Sequence, residues 1–230
     1  MKILGIIPAR GGSKGIPRKN IKVLGGKPLL QYTTEVALKS KLLSKVILSS
    51  DDDEIIDAAQ NLGVEVPFKR PKNLSGDKSQ TLHVIKHALK YYEKMGVFYD
   101  AVCILQVTSP FRSVDLLEKA ISKFIKNNTD SLISVLKVPH EYNPHWTFKK
   151  NKKNELEIST KDDILISRRQ DLPEAFYRDG SIYITKTNVI QKENSLYGDS
   201  ISYIESDINF YVNIDTQKDW KKAEEILKKI

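Results

Sequence analysis

The chain predicts an α/β fold in which a mostly parallel sheet carries helices on both faces. Two observations carry that expectation. Short apolar runs alternate with amphipathic stretches through the first two-thirds of the 230 residues, the rhythm of strand, helix, strand, helix. The composition, 40% hydrophobic and 29% charged, is that of a globular chain with room for one large domain or a domain with a small appendage.

Ile3 to Ile7 reads as a buried strand that runs into a long loop, Pro8 to Gly26. Lys27 to Ser40 has Leu29, Tyr32 and Val36 at helical spacing. Val46 to Leu48 is a second strand, and Ser49 to Asp53 offers caps for a helix facing inward through Ile55, Ala59 and Leu62. Val64 to Val66 reads as a third strand. Leu82, Ile85, Leu89 and Tyr92 mark a helix, and Ala101 to Leu105 a central strand stopped by Thr108-Ser109-Pro110. A helix through Leu117, Ile121 and Phe124 precedes the strand Ser131 to Val135. From Pro139 to Arg178 the rhythm changes, with a charged turn, Lys149 to Glu155, between two short strands. This stretch reads as an excursion from the sheet, which resumes at Ser181 to Thr185 and ends with a strand at Phe210 to Ile214 and a C-terminal helix.

The net charge of +8 is spread over dispersed lysines rather than a basic stripe interleaved with aromatic residues. That pattern favours a solvated surface able to steer a polyanionic small molecule over a nucleic-acid groove, a reading that the basic charge alone motivates. One cysteine, Cys103, lies inside an apolar strand and allows no internal disulfide, which suits a reducing cytoplasm. The start of the chain lacks the features of a signal peptide, and no apolar run is long enough to span a membrane.

The loop Pro8 to Asn20 carries the strongest chemical signal. Glycines at 11, 12 and 15 let the backbone turn sharply and present N–H groups to phosphate oxygens. Arg10, Lys14, Arg18 and Lys19 crowd together, a repulsive arrangement unless they face an anion, and a triphosphate would answer that need. Arg10, Gly11, Ser13 and Lys14 are therefore candidate phosphate ligands. The loop matches neither the P-loop, because Ser13 rather than glycine precedes Lys14, nor the dinucleotide-binding G-x-G-x-x-G pattern. His83 and His87 sit at i and i+4, yet no Glu completes a metalloprotease motif, and they read as helix-surface residues rather than a zinc site.

Six segments in order resemble the N-acylneuraminate cytidylyltransferases, the CMP-sialic acid synthetases. They are Ile7 to Asn20, Leu48 to Asp51 with Arg70-Pro71, Leu105 to Arg112, Arg168 to Pro173, Gly180 to Ile184, and Ile214 to Thr216. The resemblance covers nearly the whole chain. It implies a Rossmann-like nucleotidyltransferase domain, residues 1–138 and 179–230, with a small dimerisation and sugar-binding excursion over 139–178, working as a homodimer. It implies CTP and a nonulosonic acid as substrates, with Mg²⁺ as cofactor and CMP transfer with pyrophosphate release as the reaction. Arg10 and Lys19 then bind the triphosphate with Asn20 beside them, Arg70 and Thr81 lie near the nucleoside, and Gln106, Arg169 and Arg178 hold the sugar acid. Lys19, Arg10 and Asp215 are the residues expected to act in catalysis.

Asp215 matches a magnesium-binding carboxylate, with Asn213 where relatives often carry a second aspartate. Read without the resemblance, Asp215 is first an N-cap for the last helix or half of an Asx turn. Arg178 precedes Asp179-Gly180 rather than the usual Asn-Gly, and Val107 stands where proline is common. Two other readings stay open at this level: a nucleotidyltransferase for another sugar, such as an eight-carbon 3-deoxy sugar acid or a sugar-1-phosphate, and a non-catalytic nucleotide-binding homologue.

Overall fold

A computed structural model describes residues 1–162 and 164–229. Five strands lie in the first half of the chain: β1 (Ile3–Pro8), the short β2 (Val23–Leu24) and β3 (Lys27–Pro28), β4 (Lys45–Ser49) and β5 (Ala101–Leu105). The other five are β6 (Ser131–Lys137), β7 (Phe148–Lys150), β8 (Leu156–Ile158), β9 (Phe176–Lys186) and β10 (Ile201–Glu205). The helices are α1 (Leu29–Lys39), α2 (Asp53–Asn61), α3 (Thr81–Glu93), α4 (Val114–Asn127) and α5 (Gln217–Leu227). One six-stranded sheet has the order β10-β6-β9-β5-β1-β4. Within it β1 runs parallel to β4 and β5, and β6 parallel to β10. Only β9 runs against its neighbours β5 and β6. It re-enters the sheet from the excursion at the carboxyl ends of β5 and β6, so it must travel the other way.

Alternation along β1 builds the two sides of the core. Ile3 and Ile7 pack with Leu29, Leu30, Ile121, Phe124 and Trp220 on one face. Leu4 and Ile6 pack with Ile85, Leu89 and Tyr92 of α3 on the other. In β9, Ile182 and Ile184 join the first face and Tyr183 the second. Cys103 is fully buried, and burial pushes its thiol up to about 12.

Two sequence expectations give way. Val64 to Val66 forms no strand; Glu65 makes one isolated bridge to Ile47, and Pro67 follows, with no N–H to continue a ladder. Phe210 to Ile214 is not a strand either. Ile208–Phe210 is a 3₁₀ turn, and the chain beyond it crosses the strand ends, with Ile214 N–H donating to the Thr108 carbonyl at 2.8 Å. The final strand is instead β10, at one edge of the sheet, whose residues Ser202 and Ile204 face inward while Ile201 and Tyr203 stay exposed. In the excursion the charged turn between two short strands is present as the antiparallel pair β7 and β8.

Candidate active site

The ends of β1 and β5 open onto a cleft of about 420 Å³. In an α/β sheet this carboxyl edge is where ligands bind. Arg10, Ser13, Lys14, Lys19, Asn20, Arg70, Thr81, Gln106 and Asp215 all line it. The order of the sequence alone did not dictate that gathering, because the loop after β1 and the segment before α5 meet only through the fold.

At the base of the cleft, Lys19 is buried, its side chain 11% exposed. Its ammonium donates to the Ile214 carbonyl at 2.6 Å and to Asp215 Oδ1 at 2.9 Å. The Asp215 carboxylate is 60% exposed toward the cleft, and its Oδ2 accepts from Asn213 Nδ2 at 2.7 Å. Asp215 does not cap the last helix; Thr216 does, through a capping box with Asp219. Thr216 takes over the local helix-starting role, which leaves the Asp215 side chain directed at Lys19.

The four loop cations do face anions, but those anions belong to the chain. Arg10 pairs with Asp77 at 3.0 Å and Lys14 with the same carboxylate at 2.7 Å. Arg18, in a left-handed backbone conformation with φ 55°, forks onto Asp52 at 2.5 and 3.0 Å and reaches Glu54 at 2.8 Å. It therefore braces the loop against the start of α2. The hydrogen bonds from Arg18 hold the Asp52 carboxyl below its usual range, and Lys14 and Arg10 do the same for Asp77.

Other expected residues serve the loop itself. Gly11 N–H donates to Asp51 Oδ1 at 3.1 Å, so that donor is already engaged. Asn20 Nδ2 donates to the Arg10 carbonyl at 2.9 Å and fixes the turn. Arg70 is buried, with Nε donating to Ser49 Oγ at 3.0 Å and a further bond to the Ser49 carbonyl; burial pushes its guanidinium down to about 10. Thr81 opens α3, whose N-terminus has no side-chain cap and no acidic residue in its first turn, leaving N–H donors at the cleft.

The sugar-acid candidates divide. Gln106 lines the cleft, with Thr108 Oγ1 at 3.4 Å from its Oε1. Arg178 lies on β9 outside the cleft lining, where Nη1 donates to the Tyr197 hydroxyl at 3.1 Å. Arg169 sits in the excursion and lines a separate cavity with Lys137, His140, Asn143 and Glu174. A single copy of the chain does not bring Arg169 to the cleft. Sequence reasoning missed Asp77, which no motif marks, and Thr108 and Ser79, which also line the cleft. His87 is half-buried edge-on against Phe68, ring centroids 4.6 Å apart, and burial lowers its pKa.

Among the described residues no group of three His, Cys, Asp or Glu side chains forms a metal cage. The donor set at Asp215 and Asn213 still fits Mg²⁺. That ion takes one or two protein carboxylates and completes its octahedron with waters and substrate phosphate oxygens.

A family model described as cytidylyltransferase matches residues 4–229, nearly the whole chain. The chain belongs to the cytidylyltransferase family. A pseudaminic acid cytidylyltransferase of Campylobacter jejuni is 37% identical over 228 residues, covering 99% of this chain and 97% of that protein. The CMP-N,N'-diacetyllegionaminic acid synthase of Legionella pneumophila is 33% identical over 234 residues, covering 99% and 97%. The resemblance read from the six motifs therefore holds. A solved structure of CMP:2-keto-3-deoxy-manno-octonic acid synthetase complexed with CTP has a TM-score of 0.74 at 19% identity, covering 100% of this cytidylyltransferase and 99% of that chain. At that identity the likeness shows the fold alone, and it agrees with the nucleotidyltransferase architecture expected from sequence. No helix among the described residues is long and apolar enough to cross a membrane.

Proposed function

We propose that this cytidylyltransferase transfers CMP from CTP to the anomeric hydroxyl of a nonulosonic acid and releases pyrophosphate. The observation that carries the proposal is the convergence of Arg10, Lys14, Lys19 and Asp215 on one cleft at the strand ends. In the reaction the anomeric hydroxyl gives up its proton to solvent as its oxygen attacks the α-phosphorus, the bond to the bridging oxygen of the β-phosphate breaks, and negative charge grows on the departing pyrophosphate. Lys19, buried and held by two oxygens, is a preorganised cation for that charge, and Arg10 and Lys14 are placed for the outer phosphates. Asp215, with Asn213 at its side, would hold Mg²⁺, which supplies charge neutralisation of the triphosphate when bound. Gln106 is the cleft residue placed to hydrogen-bond the sugar acid.

The identities of 37% to a pseudaminic and 33% to a legionaminic enzyme support a nine-carbon acid and make pseudaminate the first to try. The separation of Arg169 from the cleft supports a homodimer in which the excursion of one copy approaches the other. We place the reaction in the cytoplasm, where a lone buried thiol stays reduced. The test is pyrophosphate release from CTP and Mg²⁺ with pseudaminate, di-N-acetyllegionaminate, N-acetylneuraminate and the eight-carbon 3-deoxy acid, with Lys19→Ala as control. Turnover of a nine-carbon acid that the control lacks is expected. Turnover of the eight-carbon acid alone, or none with CTP still bound, would refute the proposal.

A further inference from the structure

Behind the cleft lies a buried cation that the roles described above leave unused. Arg112, in the turn before α4, is 5% exposed. Its guanidinium joins three elements: Nη1 donates to Thr33 Oγ1 of α1 at 2.9 Å, Nε to Ser181 Oγ of β9 at 3.2 Å, and Nη2 to the Gln106 carbonyl at the end of β5. All three partners are neutral. Asp179, which attracts it through space, is itself engaged by Ser134 Oγ, Ser206 Oγ and the Ser181 N–H. Burial pushes the Arg112 guanidinium down to about 10, the mark of a charge kept out of water at a cost. Burying a guanidinium against neutral acceptors is a poor way to stabilise a fold, since apolar residues of similar volume often do as well or better. A planar fork does have one property they lack: it fixes the direction of a carbonyl, and with it the residue that carries the carbonyl.

The carbonyl fixed here belongs to Gln106, whose side chain lines the cleft. We propose that Arg112 is a positioning residue for the sugar-acid half of the reaction, locking the Gln106–Thr108 turn from the side facing away from substrate. This rests on the assignment of Gln106 to the sugar acid. Nucleotide contacts made by Arg10, Lys14 and Lys19 lie on the loop after β1, which Arg112 does not touch. The turn that Arg112 holds reaches Lys19 only at second hand, through the Thr108 carbonyl and Ile214, so loss of Arg112 should fall mainly on the sugar acid. Arg112 also borders a second cavity of about 400 Å³, so a truncated side chain would leave a guanidinium-sized space that small solutes can reach.

Arg112→Ala and Arg112→Lys are the variants to assay, with separate titrations of CTP binding and of sugar-acid turnover. Both are expected to lose about tenfold or more in kcat/KM for the sugar acid, in line with the cost of a misplaced substrate contact, while CTP affinity stays within about twofold. Millimolar guanidinium is expected to restore activity to Arg112→Ala, and methylammonium is not. Arg112→Lys keeps the charge and most of the volume, so it serves if Arg112→Ala does not fold. Kinetics like the parent chain in either folded variant would overturn the proposal. So would an equal loss of CTP and sugar-acid affinity without guanidinium rescue, the signature of a purely structural cross-link. Gln106→Ala, assayed alongside, separates the premise: if it turns over the sugar acid normally, the assignment of Gln106 fails whatever Arg112 does.

Discussion

Lys19 and Asp215 meet at 2.9 Å across 196 residues of sequence, joining the loop that follows β1 to the segment that precedes α5. The ammonium is buried and the carboxylate exposed, so the pair presents an anion to solvent while holding its cation in a fixed place. Lys19→Ala should lower kcat by about 10²–10³-fold, the range for removing one preorganised donor to developing charge. Asp215→Asn should instead raise the Mg²⁺ concentration needed for half-maximal rate. Steady-state assays across a magnesium titration separate the two, and equal responses in both variants would contradict the division of roles.

Asp77 occupies the cations that a triphosphate would use. Its carboxylate pairs with both Arg10 and Lys14, and the Lys14 side chain is 82% exposed, so the contacts are solvated and weak enough to exchange. On the proposed reading, nucleotide binding displaces them. Asp77→Asn is expected to bind CTP a few-fold tighter by calorimetry at low salt, with the gain fading as ionic strength rises. Weaker binding in that variant would mean that Asp77 belongs to the bound state.

The residue types of the site were legible because phosphate chemistry calls for glycines and cations directly after a first strand. The fold was legible for similar reasons: strands buried on both faces and helices with one apolar stripe leave strong periodic signals. Pairing across distance was not. Asp52, Asp77 and Asp215 supply the loop cations with partners from three different segments, and nothing local marks those pairings. Likewise Val212 and Ile214 are as apolar as a strand, yet they are buried as a connection across strand ends. Ile201 to Glu205 forms the edge strand although it buries Ser202 and exposes Ile201 and Tyr203, the reverse of the usual alternation, so the pattern does not announce it. Gln106 and Arg169 looked like one binding set in sequence, and the excursion that carries Arg169 separates them.

The Arg18–Asp52 fork gives a pH dependence of known sign. Asp52 has its folded pKa depressed, mainly by hydrogen bonds from Arg18. Its contribution to stability is therefore complete above the unfolded value, about 3.9, and is lost as pH falls through the lower folded value. Arg18→Gln should shift the acid unfolding midpoint upward, measured by circular dichroism from pH 6 to 2. An unchanged midpoint would mean that other carboxylates govern acid unfolding.

Gly15 tests how closely the loop must approach the carboxylate segment. A methyl group built on it would sit 2.0 Å from the Asp215 carbonyl oxygen and 3.2 Å from its carbon, both backbone atoms with no rotamer to yield. The residue is exposed, and its φ is not in the left-handed region, so an alanine there has no conformational objection of its own. Gly15→Ala should lower the thermal midpoint, because neither backbone yields cheaply and a displaced loop gives up the Lys19 bonds to Ile214 and Asp215. It should also lower kcat/KM by about tenfold or more, because the displaced loop carries Lys19 away from Asp215. A variant that loses stability but keeps activity when folded would show that the close approach serves the fold rather than the reaction.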